Sequence, residues 1–155
     1  MKHTSVTLPE PDYLQRIGEV AYVASSLEWT LLGDLYRLSN HLPDNFSLDA
    51  LERKTMGRIS SMTKQAAEQC VDPEIRCYLE AAARALDVVK NVRNDVLHAY
   101  PATMSPGGTQ CLGRLGANGQ RFWIDNEWLD KKMEEVDQTI KDVNAVRPPF
   151  VHSNN

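Results

Sequence analysis

The stretch PEIRCYLEAAARALDVVKNVRNDVLHAYP, from Pro73 to Pro101, decides how the chain folds. Apolar or small side chains fall at Ile75, Leu79, Ala82, Leu86, Val89, Val96/Leu97 and Tyr100, the three-and-four spacing of one helical face. A second apolar flank runs through Ala81, Ala85, Val88 and Val92, which leaves polar only the row through Glu80, Arg84, Asp87, Asn91, Asn94 and His98. A helix apolar on two flanks has to be covered on both, so it is expected at the centre of a bundle. Asp72-Pro73-Glu74 supplies a cap, a residue preset for the first turn and a carboxylate at the positive helix end. Pro101 disfavours helical geometry at Tyr100 and so ends the segment.

One residue breaks the stripe. At about 100° per residue, Arg93 lies within roughly 20–60° of Leu86, Val89, Val96 and Leu97, so its guanidinium is expected to face the core or a covered cleft. A charge in such a place needs a partner. Asn94 and His98 are four residues apart and share one flank, roughly 100–140° round from the stripe centre. His98 falls where the helix frays and backbone carbonyls lose their partners, within reach of solvent or a ligand.

Upstream, a first helix is expected from Asp12 or Tyr13 to about Asn40, with Ile17, Val20/Ala21, Ala24, Leu27, Leu31, Leu35 and Leu38 inward. Glu28 lies inside that stripe and faces the same interior as Arg93. The economical expectation is a Glu28–Arg93 ion pair across two packed helices, because a buried unpaired charge costs several kcal/mol. His41-Leu42-Pro43-Asp44-Asn45 breaks the helix, and Ser47 or Asp49 is placed to cap a second one running to about Gln69. Its expected inner face is Leu48, Leu51, Thr55, Ile59, Met62 and Ala66.

Beyond Pro101 the loop Ser105-Pro106-Gly107-Gly108 leads into Cys111–Leu115 and Arg121–Ile124, which flank Asn118-Gly119, a signal for a tight two-residue hairpin turn. Asp125 or Asn126 caps a last helix to about Val146, with Leu129, Met133, Val136, Ile140 and Val143 inward. The expectation is an all-α domain, a four-helix up-and-down bundle with a short β-hairpin between helices 3 and 4. Residues 1–155 form one domain with an ordered core over about 12–147, an irregular lead-in and a frayed tail from Arg147.

Composition narrows the function classes. The chain has 155 residues, enough for a core without disulfide or metal staples, and its three cysteines lack metal-site spacing. They read as reduced thiols packed as small hydrophobes. No His/Cys/carboxylate cluster has metal-ligand spacing and no glycine-rich loop opens a helix, so neither a metal nor another cofactor is expected. The start, Met1 to Pro11, lacks the apolar core of a signal peptide, and no apolar run spans a bilayer; a cytoplasmic protein with no membrane partner is expected. A net charge of −4 argues against broad electrostatic capture of nucleic acid, so any such contact depends on a local basic patch.

Arg93-Asn94-x-x-x-His98 at the end of the third helix resembles the Arg-x4–6-His signature of the HEPN superfamily, and the wording around Ser26-Leu27-Glu28-Trp29 in the first helix is similar to many of its members. The likeness covers roughly Tyr13 to Val146. Arg147-Pro148-Pro149-Phe150-Val151-His152 has the same spacing, but in a proline-rich tail where the sequence offers no preorganised site. The resemblance implies a helical bundle that forms a two-fold homodimer, with the Arg and His of both subunits in a cleft at the interface. In active members that cleft is a metal-independent endoribonuclease of toxin, defence or RNA-processing type.

On this reading His98 moves the proton, Arg93 stabilises charge on the phosphate, Asn94 orients His98 or holds a phosphate oxygen, and Glu28 fixes the Arg93 rotamer. Lys90, Arg114 and Arg121 are candidates for gripping the RNA backbone. RNA is then the substrate, and an antitoxin or neighbouring-gene protein is a candidate partner. The alternative is a non-catalytic HEPN-like dimeric scaffold or partner-binding module, which the acidic net charge favours. Trp29, Trp123 and Trp128 are expected in the core or a dimer interface.

Overall fold

A computed structural model of the chain describes residues 8–104 and 108–149. Among these, α1 spans Pro11–Arg37, α2 Leu48–Glu52, α3 Met56–Gln69, α4 Pro73–Leu97 and α5 Asn126–Ala145. Three strands, β1 (Tyr100–Thr103), β2 (Gln110–Leu115) and β3 (Arg121–Ile124), form one antiparallel sheet in the order β1-β2-β3. No helix of the described residues is long and apolar enough to cross a membrane. The lead-in Met1 to Thr7, most of the Ser105–Gly108 loop and the tail from Phe150, including His152, lie outside the described residues.

As its two apolar flanks require, α4 is the hub. It packs against α3, α1 and α5, and buries Ile75, Leu79, Ala81, Ala82, Ala83, Ala85, Leu86, Val89 and Val92. Asp72 caps it, its Oδ1 accepting from the N–H groups of Glu74 (2.9 Å) and Ile75 (3.1 Å). The inward stripes of α1 and α5 are placed as their spacing requires: Val20, Ala24, Leu27, Leu31 and Leu35 on the first, Leu129, Val136 and Val143 on the second.

The architecture nevertheless departs from a four-helix up-and-down bundle with a hairpin. The expected second helix is two, interrupted at Arg53-Lys54-Thr55. Thr55 is extended backbone, not an inner-face residue, and its hydroxyl accepts from Arg58 N as the N-cap of α3. Its capping chemistry outweighed its place in the apolar spacing. Past the break, α3 buries Ile59, Ser60, Met62, Thr63, Ala66 and Ala67.

The sheet also has a third strand. Tyr100 to Thr103 leave the helix and pair with Gln110 to Gly113, so Tyr100 closes no helical stripe. Pro101 is tolerated because β1 is an edge strand. Gly113 sits opposite Tyr100, where an added Cβ would meet the phenol ring at 2.8 Å. The β2–β3 connection is longer than two residues: Gly119 N donates to Gly116 O (2.9 Å), Gly116 N to Gln120 O (2.8 Å), and Gly119 alone takes a positive φ, +77°. Tyr13 clamps this sheet to α1, its hydroxyl donating to Ile124 O (2.5 Å) and accepting from Leu112 N (2.8 Å), two residues paired across β2 and β3.

Two polar ties fasten the helices. Between α3 and α4, Asp87 accepts from Ser60 Oγ (2.9 Å), Lys64 Nζ (2.6 Å) and Lys90 Nζ (2.9 Å). Burial opposes ionisation there, yet the hydrogen bonds from Lys64, Lys90 and Ser60 hold the carboxyl down at about 2, below its ordinary 3.8. The second tie is buried: Tyr78 donates to Asp34 Oδ2 (2.6 Å), and Arg147 Nε lies 2.9 Å from the same oxygen. Burial first and then the Asp34 carboxylate raise the Tyr78 hydroxyl far above its usual pKa. The Arg147 N–H is not aligned on the oxygen, so this contact is an ion pair by proximity rather than a directed hydrogen bond. Arg147 and Pro148, expected in the frayed tail, are therefore docked, with Pro148 buried.

Both ties make predictions. A carboxyl depressed on folding stabilises above its unfolded pKa and loses that contribution as pH falls through its folded value. The urea-midpoint difference between wild type and Asp87→Asn is therefore expected to be full above pH 4 and to shrink toward pH 2; a difference constant with pH contradicts the assignment. Arg147→Ala leaves the Asp34 carboxylate buried without its closest cation, and is expected to cost about 3 kcal/mol, lowering Tm by roughly 6–12 °C in a thermal melt.

Candidate functional site

Glu28 and Arg93 meet as their positions demand. Arg93 Nη1 donates to Glu28 Oε2 at 2.5 Å, joining α1 to α4. The carboxylate side chain is 13 % exposed and the guanidinium 38 %, so Glu28 is held inside and Arg93 faces outward from it rather than into the core. Val92, its neighbour in the chain, is the last fully buried position on α4. Coverage of α4 thins at this point and a cleft opens.

That cleft has a volume of about 570 Å³. Glu28 comes from α1; Lys90, Arg93, Asn94 and Leu97 from α4; Lys54 and Thr55 from the break between α2 and α3; and Met56 and Gly57 from the first turn of α3. On the other side of Arg93 and Leu97 lies a smaller hollow of about 210 Å³ against Ala21, Ser25, Val92 and Val96. Beside it the surface is apolar: Tyr22 is 76 % exposed, Trp29 58 % and Leu97 66 %.

Of the residues singled out from sequence, the structure brings Arg93, Asn94, Glu28 and Lys90 to one cleft. Lys90 is shared with Asp87. His98 does not line that cleft: it is the C-cap of α4, exposed, with its backbone N–H donating to Asn94 O at 3.1 Å. It stands one turn beyond Asn94, about 40° further round the axis. Arg114, on β2, is half-buried and paired with Asp95 at 3.4 Å. Arg121 is exposed at the start of β3. Neither lines the cleft. Trp128 stacks on Phe122 with ring centroids 6.3 Å apart and receives Lys132 at 5.7 Å, so it is an intramolecular packing residue.

Sequence reasoning missed Lys54, Thr55 and Gly57. The available signal was the pair Thr55 and Gly57, a capping residue followed by a poor helix former, which marks a helix start at the price of the apolar spacing. Comparison of the chain with protein-family models, with curated proteins and with solved structures finds no match.

Because the pair is partly solvated, its loss is expected to be modest. Glu28→Gln should lower stability by about 1 kcal/mol, or roughly 2–4 °C in Tm, and an unchanged melt would show that the contact does not hold the two helices.

Proposed function

We propose that this chain is a HEPN-type, metal-independent endoribonuclease that acts as a homodimer on RNA in the cytoplasm. The observation that carries the reading is the placement of Arg93-Asn94 in a cation-lined cleft at the end of the central helix, with Glu28 behind the guanidinium and an exposed imidazole, His98, one turn on.

In this reaction a ribose 2′-oxygen attacks the adjacent phosphorus. The O2′–P bond forms and the P–O5′ bond breaks, giving a 2′,3′-cyclic phosphate and a 5′-hydroxyl. His98 takes the 2′-hydroxyl proton, and the departing O5′ receives one from His98 of a second copy or from water. Arg93 stabilises the charge that builds on the non-bridging oxygens. Asn94, between the two around the helix, holds a phosphate oxygen or orients the imidazole.

On a single α4 the two catalytic groups point well apart, about 140° round the axis. The exposed Tyr22, Trp29 and Leu97 beside the Arg93 hollow support a second copy seated there, which would pool groups from two chains. An antitoxin or neighbouring-gene protein would use the same neighbourhood.

A non-catalytic dimeric scaffold or partner-binding module is the second reading. The observation in its favour is that His98 lies outside the Arg93 cleft and receives no orienting side-chain hydrogen bond among the described residues.

The test is incubation of the purified protein with total RNA in the presence of a chelator. Cleavage to cyclic-phosphate ends is expected. His98→Ala and Arg93→Ala are each expected to lower it by about 10²-fold or more while the protein stays folded and dimeric. Undiminished cleavage by a pure His98→Ala sample rejects the enzyme, and absence of cleavage with an intact dimer favours the scaffold.

A further inference from the structure

We infer that the cleft beside Arg93 is a phosphate-binding subsite for the RNA backbone, in which Lys54 and the first N–H groups of α3 grip a phosphate next to the one being cleaved. This rests on the ribonuclease reading for the identity of the ligand, but the anion site is argued from the cleft itself.

Charge is the first argument. Lys54, Lys90 and Arg93 line the cleft and Glu28 is the one carboxylate among its lining residues, in a chain whose formal net charge is −4; Asp87, outside the lining, holds Lys90 from behind. Both Asp87 oxygens are occupied, Oδ1 by Ser60 and Lys90 and Oδ2 by Lys64. Arg93 commits Nη1 to Glu28 and keeps its other donors for the cleft.

Lys54 is the second. Its neighbour Arg53 is paired with Asp49 at 2.8 Å, whereas Lys54 has no carboxylate among the described residues and donates only to the Ala50 carbonyl, at 2.6 Å. An ammonium resting on a carbonyl at the mouth of a cleft is a free positive charge for an incoming anion.

Backbone supplies the third. The helix break sets the start of the 14-residue α3 in the cleft wall, where Met56 and Gly57 offer N–H groups that have no intrahelical acceptor. At Gly57 an added Cβ would come to 3.5 Å from the Lys90 chain, so the wall is already close to the second cation. Lysine ammoniums, amide N–H groups and the Asn94 amide are donors without base specificity, which suits backbone phosphate rather than a base edge.

The probe is a short, fully 2′-O-methylated RNA, which presents phosphates but has no 2′-hydroxyl to attack. Its binding is followed by fluorescence anisotropy across a salt series, in parallel with cleavage of unmodified RNA. Lys54→Gln is expected to weaken binding about tenfold and to flatten the log–log salt slope by about 0.7, the value of one lost phosphate contact on a single strand. Lys54→Arg should retain most of the affinity, and Arg53→Gln should change it less than about twofold as the equal-charge control.

Wild-type binding and slope in a folded Lys54→Gln, or equal losses in Lys54→Gln and Arg53→Gln, overturn the subsite whether or not RNA is cut. Lys54-dependent binding without any cleavage keeps the subsite and removes the enzyme. No binding of the probe at low salt removes the subsite even if RNA is cleaved.

Discussion

The molecule depends on covering α4 on nearly all sides. Ala81, Ala82, Ala83 and Ala85 are all buried, and such small side chains let neighbouring helices approach closely. That need brings α3 to one side and α1 and α5 to others, and it leaves few positions on α4 for polar groups. Those that remain become ties at the seams. In order along the helix, Tyr78 meets Asp34 of α1, Asp87 meets α3, Arg93 meets α1 again and Asp95 meets β2. The Tyr78–Asp34 tie is buried and the other three sit where packing ends; each satisfies a group that apolar neighbours would otherwise strand.

The cleft is a consequence of the same covering running out. Alanines give way to Lys90, Asn91, Arg93 and Asn94, and burial falls from Val92 to the exposed Leu97 within two turns. On the opposite wall the chain breaks at Arg53-Lys54-Thr55 and starts α3 afresh. An unbroken second helix would have used its backbone N–H groups internally and carried Lys54 on a continuous polar face. The departure from a plain four-helix bundle and the existence of a donor-rich cleft are thus one structural event.

What the sequence made legible was what neighbours in the chain decide. The 3.6-residue periodicity placed the stripes of α1, α4 and α5, and Asp72 and Asp125 announced their helices through local capping. Glu28 and Arg93 found each other on paper because each is a charge inside an apolar stripe, and a charge there has few ways to be satisfied. The misses depend on partners far along the chain. Tyr100–Thr103 is a strand only because β2 accepts it, and Arg147 is anchored only because Asp34 is buried within reach. Thr55 is the exception, a local signal set aside because its position also fitted the apolar spacing.

The Glu28–Arg93 pair is asymmetric, and the asymmetry bears on what it does. A fastening pair is most costly to break when both charges are enclosed and their donors and acceptors are used up. Here the carboxylate is the enclosed member and the guanidinium the open one, joined through a single nitrogen. Glu28 therefore restrains where Arg93 points without exhausting its planar array of donors, which is the condition a fixed anion receptor requires. Lys90 is in the same state, held by an Asp87 whose oxygens already serve Ser60 and Lys64. Two cations oriented by carboxylates behind them, with Lys54 and a helix start facing them, form a preorganised array, and preorganisation is what lets such groups stabilise a phosphate's charge without first rearranging.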